Sequence, residues 1–173
     1  GAGDDPRNAN SVTGSVIKYC GDDYALVFRS DNSGARDLVI VNAHLPPTHA
    51  GATTDECPRG KGAVLLEADQ NHQTVESNLF SNLLLFRFTG GTALTLRAVV
   101  GGIAYNQFYD IRIRYALRGI HISAAGDGAA FANSNHFHGG AISGQATGGM
   151  EYAVLNEGDI YLLFIFLLTY CCF

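Results

Sequence analysis

Two histidines, His136 and His138, flank a phenylalanine in the run Asn135-His136-Phe137-His138. Alternate side chains of an extended strand leave the same face. With Phe137 turned inward, both imidazoles therefore point outward, and His121 falls one strand away. Paired imidazoles can hold a metal ion or pass a proton, whereas the plainer role is polar surface. Tyr105, Tyr109 and Tyr115 with Arg112 and Arg114 form a second grouping, an outward band of aromatic and basic side chains. Tyrosine offers a flat apolar face with a polar tip and arginine a planar cation, which together suit sugar rings, including acidic ones. The same residues can instead serve as cross-strand pairs on a solvent-facing sheet. Glu67, Asp69 and Glu76 come from one stretch and could line a groove as acid and base; solvated surface charge is the simpler reading.

Other chemistries find no support. The net charge of −5, from 11 basic and 16 acidic residues, argues against a nucleic-acid partner. Cys20, Cys57, Cys171 and Cys172 show neither C-x-x-C spacing nor a Cys/His zinc pattern. A Cys20–Cys57 disulfide is one option in an oxidising compartment. No carboxylate cluster of the calcium-binding kind is evident, so no cofactor and no metal site are assigned. Ser143 lies in a glycine-rich stretch without the strand-to-helix elbow of a hydrolase nucleophile. Gly139-Gly140 and Gly148-Gly149 read as turns, since no helix follows to cradle a phosphate.

The elements that position these residues repeat. Asn-x-Phe occurs at Asn78-Leu79-Phe80, Asn106-Gln107-Phe108 and Asn135-His136-Phe137, at steps of 28 and 29 residues. Apolar runs opening on Gly62, Gly91 and Gly119 keep the same period, and Gly149 continues it. Glycine is abundant, 21 of 173 residues, without a collagen-like period. Two short strands per period and no helical stretch fit an all-β solenoid, in which matching positions stack about 4.8 Å apart. Phe80, Phe108 and Phe137 would then form an aromatic column, and Asn78, Asn106 and Asn135 an amide ladder. Asp110 shares a repeat position with Asn82 and Asp37 and reads as a corner residue.

The pattern G-h-x-h followed by N-x-F-x-[ND]-h-x-h, carried best by residues 101–144, resembles the right-handed parallel β-helix of the pectate-lyase-like superfamily. Within it the resemblance is to phage tail spikes, appendages and capsule depolymerases. It implies about five or six coils over residues 21–159, with a loop insertion at 42–61. Residues 1–20 read as a flexible lead, and the start at Gly1 as a processed chain or a fragment. Residues 160–173 carry no charge; they are too few for a membrane span, which needs about 20, and read as a terminal strand or oligomer contact. The resemblance further implies a virion or extracellular location, a homotrimer, and glycan contact along the outer face, for which Tyr105, Tyr109, Arg112, Arg114, Tyr115, His136 and His138 are the expected binding residues. The expected function is a structural or receptor-binding protein that contacts glycan. A polysaccharide depolymerase, glycosidase or lyase, with Glu67, Asp69 and Glu76 as its acids is the enzymatic alternative; an architectural fibre or capsid component is the third.

Overall fold

The computed structural model describes residues 15–44, 57–70, 73–124, 130–144 and 149–157, with the backbone of 164–165. These residues form strands β1 (Ser15–Tyr19), β2 (Tyr24–Phe28), β3 (Gly34–Asn42), β4 (Gly62–Ala68), β5 (Thr74–Glu76), β6 (Leu79–Phe86) and β7 (Thr92–Ala98). They continue with β8 (Gly102–Ala104), β9 (Gln107–Arg114), β10 (Arg118–Ala124), β11 (Phe131–Asn133), β12 (His136–Ser143), β13 (Tyr152–Glu157) and β14 (Phe164–Ile165). No helix occurs among the described residues.

Every strand pairing is parallel, in three sheets. Sheet I runs β1-β3-β6-β9-β12-β14, sheet II β13-β10-β7-β4-β2, and sheet III β11-β8-β5. From β4 onward the chain visits sheets II, III and I in turn, three times over, before entering sheet II again at β13. The fold is all-β, and its stacked parallel sheets are compatible with a solenoid.

The period holds three strands rather than the two expected. The extra strands β5, β8 and β11 each place one central apolar side chain in the core, Val75, Ile103 and Ala132, all 0% exposed. A three-residue strand with one inward residue leaves no alternation to read. The glycine landmark also needs correction. Gly62 pairs with Thr92, not with Gly91, so only Asn-x-Phe is a true register mark. Ser15–Tyr19, inside the stretch read as a flexible lead, is β1 and pairs with β3.

Asn-x-Phe works as expected because its two side chains solve different problems. Phe80 pairs with Phe108 and Phe108 with Phe137. Their rings stack at 5.1 Å and 4.4 Å with planes 9° and 7° apart, and Phe28 caps the column edge-on at 5.0 Å. Fully burying a ring of this size stabilises by about 1.5–3 kcal/mol. Asn78, Asn106 and Asn135 are wholly buried. Asn78 Nδ2 donates to Asn106 Oδ1 at 2.9 Å and Asn106 Nδ2 to Asn135 Oδ1 at 2.8 Å. The ladder also takes up the backbone where the chain turns from sheet III into sheet I: Ser33 N–H donates to Asn78 Oδ1 and Asn106 Nδ2 to the Val75 carbonyl.

Left-handed residues make the corners. Asn32, Ser77, Tyr105 and Ser134, each one residue before the ladder position, have φ of 50–56°. Asp37, Asn82 and Asp110, at φ 52°, 50° and 49°, bend sheet I midway, and Gly139 at 67° takes that place on the next rung. Asn82 Nδ2 donates to Asp37 Oδ1 at 2.9 Å, which bears out the corner reading of Asp110 and its neighbours. Short polar side chains tolerate this conformation well. Arg87 and Tyr115 occupy a further left-handed corner after sheet I.

A disulfide joins Cys20 to Cys57. With Asn42 Nδ2 donating to the Arg59 carbonyl and Asn42 Oδ1 accepting the His44 N–H, it pins both ends of the 42–61 insertion to the strand body. Residues 45–56 lie outside the described residues. So do 158–163 and 166–173, and with them Cys171 and Cys172; β14, from the apolar terminal stretch, pairs with β12.

Candidate functional site

The outer face of sheet I carries most of the residues singled out by type. Register alignment places Gly34, Leu79, Gln107 and His136 in one column and Arg36, Ser81, Tyr109 and His138 in the next. Tyr109 and His138 stack face to face at 4.7 Å, planes 10° apart. The Tyr109 hydroxyl donates to Gln107 Oε1 at 3.3 Å. His136 lies against His138, ring centres 6.1 Å apart. Tyr109 remains 42% exposed, and its rung neighbour on the β6 side is Ser81. One ring face is thus covered by imidazole, and the other stands above a small residue. Leu79, 50% exposed, flanks the same spot.

Tyr105 is the most exposed of the group, at 59%. It sits on the left-handed corner where neighbouring turns place Ser77 and Ser134. A bulky side chain there carries backbone strain of order 1 kcal/mol, and nothing in the packing requires it.

The rest of the band divides. Arg112 belongs to the Asp110 corner: its Nη2 donates to Asn82 Oδ1 at 2.6 Å and its buried Nε lies 3.7 Å from Asp110 Oδ2 without a hydrogen-bond partner. Arg114 is half-buried at the end of β9. Tyr115 packs edge-on against Phe86 at 5.4 Å, beyond the far end of the strand from Tyr109. His121 is on sheet II rather than beside the histidine pair, with Nε2 2.9 Å from Glu157 Oε2 and Tyr152 edge-on to its ring.

Glu67 and Asp69 meet at one guanidinium. Glu67, on the outer face of β4 and 5% exposed, is gripped from both neighbouring rungs. Arg29 Nε donates at 2.9 Å and Nη2 at 2.5 Å to one oxygen; Arg97 donates through Nε at 2.9 Å, and through Nη2, to the other. Asp69 Oδ2 lies 3.5 Å from Arg29 Nε. Burial pushes the Glu67 carboxyl up, but the hydrogen bonds and charges of Arg29 and Arg97 outweigh it and hold the group below the usual carboxylate range. The same contact raises Arg29. Glu76 is on sheet III, half-buried, its N–H donating to Asp31 Oδ1.

The clamp, Gln107, Leu79 and Arg36 were not legible as site residues in the sequence. The partners of Glu67 lie one rung away on either side, 38 and 30 residues along the chain, and Leu79 and Arg36 approach Tyr109 only through the sheet register. Among the described residues no group of three or more His, Cys, Asp or Glu gathers as a metal cluster, and no helix is long and apolar enough to cross a membrane. Neither a family model, a curated protein nor a solved structure matches this chain.

Proposed function

We propose that the chain is a right-handed parallel β-helix of the surface- or virion-associated kind, which contacts saccharide through the outer face of sheet I. Right-handed crossover is the rule for parallel strands joined within one sheet. The observation that carries the functional reading is exposed tyrosine where a neighbouring rung carries serine: Tyr105 against Ser77 and Ser134, and Tyr109 against Ser81 on one side. Tyr109 presents one open ring face above Ser81, with Leu79 two residues before Ser81 and Arg36 on the rung beyond it. A pyranose ring can lay its C–H face on such a ring and set its hydroxyls toward polar neighbours. The disulfide Cys20–Cys57 supports an oxidising, extracellular setting. Association into homo-oligomers, three chains by the resemblance, is part of the same proposal and is checked by light scattering of the purified protein.

Binding without cleavage is the favoured form. A glycosidase acid must hold its proton near neutral pH, while Glu67 is held ionised between two guanidiniums. The test is retention on immobilised capsular or cell-wall polysaccharides. Tyr105→Ser with Tyr109→Ser reproduces residues that the neighbouring rungs already accommodate, so folding is preserved while binding falls at least about tenfold, as for loss of exposed aromatic anchors. Unchanged retention overturns the proposal. New reducing ends or unsaturated sugars in the same incubation favour the depolymerase instead.

A further inference from the structure

We propose that His136 and His138 form a two-imidazole binding site for a divalent transition ion of the zinc, copper or nickel class. The site does not depend on the saccharide reading. Both side chains leave the outer face of β12 on either side of Phe137, which is buried at 2% exposure. The ring centres are 6.1 Å apart and the planes 60° to one another. With metal–nitrogen bonds of about 2.1 Å, two imidazoles sharing an ion have ring centres about 5–6 Å apart over ordinary ligand angles. The observed 6.1 Å lies just beyond the upper end of that span.

Three further observations point the same way. The other described histidines are engaged, His44 Nδ1 with the Cys57 carbonyl and His121 Nε2 with Glu157. The ring nitrogens of His136 and His138 make no hydrogen bond among the described residues and carry no buried, unsatisfied atom. Tyr109, stacked on His138 at 4.7 Å and tied to Gln107, limits the rotation of that imidazole and so reduces the entropy lost on chelation. The donor set selects the ion. Neutral imidazoles suit zinc, copper and nickel, whereas calcium and magnesium require several oxygen ligands that this face does not gather. Water fills the remaining coordination positions.

The experiment titrates the tag-free chain, with its free thiols alkylated, with Cu2+ and Zn2+, read by calorimetry and by tyrosine emission, which is measurable because the chain has 8 tyrosines and no tryptophan. One site is expected, with quenching of tyrosine emission by Cu2+. His136→Ala and His138→Ala should each weaken that site about tenfold or more, because each turns a chelate into a single ligand; the double variant should lose it. His121→Ala should bind as the parent does. Parent-like affinity in either single variant, or a site retained in the double variant, overturns the proposal. A second measurement needs no substitution: substoichiometric Cu2+ should broaden the imidazole resonances of His136 and His138 before that of His121. Broadening that begins at His121 or elsewhere overturns the assignment.

Discussion

Replacing Asn106 by alanine tests the amide ladder at its centre. Asn106 Oδ1 accepts from the Asn78 backbone N–H at 3.0 Å and from Asn78 Nδ2 at 2.9 Å. Its own Nδ2 donates to Asn135 Oδ1 at 2.8 Å and to the Val75 carbonyl at 3.0 Å. Alanine would leave two donors of Asn78 and the Val75 carbonyl without these partners, whereas Asn135 Oδ1 keeps the Asn106 backbone N–H. Each orphaned buried group costs about 1–3 kcal/mol, so three of them give an expected loss of about 3–9 kcal/mol. That is a large part of the about 5–15 kcal/mol typical of a whole domain. In a chain of this size, at about 2–4 °C per kcal/mol, it lowers Tm by roughly 6–36 °C. Urea denaturation followed by circular dichroism measures it, with thermal melts as a cross-check. Asn78→Ala in the same background should add less than its single effect, because the Nδ2 donor it removes is already orphaned. A loss below about 1 kcal/mol, or strict additivity of the pair, would refute the ladder as a cooperative buried network.

The other predictions concern separate parts of the molecule. Tyr105→Ser should leave stability unchanged or raise it by up to about 1 kcal/mol, since it relieves a left-handed tyrosine; a clear fall in Tm would show that the side chain packs more than its exposure indicates. Glu67→Gln should cost about 1–2 kcal/mol at neutral pH, since a charge-assisted grip on Arg29 and Arg97 becomes neutral. Because the folded carboxyl lies below its ordinary value, its stabilisation is present above that value and is lost as the pH falls through the lowered one. The gap between parent and variant in denaturant midpoint should therefore close in acid, and a constant gap from pH 7 to pH 3 would contradict the ion-pair reading. Reduction of Cys20–Cys57, which are 37 residues apart, should destabilise the chain by about 2–4 kcal/mol. Denaturation with and without reductant checks this, and identical curves would argue against the bond.

Asn-x-Phe at steps of 28 and 29 residues, with short strands and no helical stretch between, specified parallel stacking, the buried amide ladder and the phenylalanine column, and the repeat position shared by Asp37, Asn82 and Asp110 marked the corner. Each of those follows from one physical fact: a side chain repeated at the coil period meets its own copy on the next rung, so its type decides whether it stacks, hydrogen-bonds or bends the chain. Outward positions obey no such rule. Their partners are set by where each sheet begins and by corners too short to leave an alternating pattern, which is why β5, β8 and β11 went unread. Tertiary register alone decided that Glu67 sits between Arg29 and Arg97, that Tyr109 rests on His138, and that His121 faces Glu157 instead of the histidine pair. Burial of the core column restricts sequence to few choices per position, whereas a solvated face accepts many; the first leaves a periodic trace along the chain, and the second acquires meaning only once the rungs are aligned.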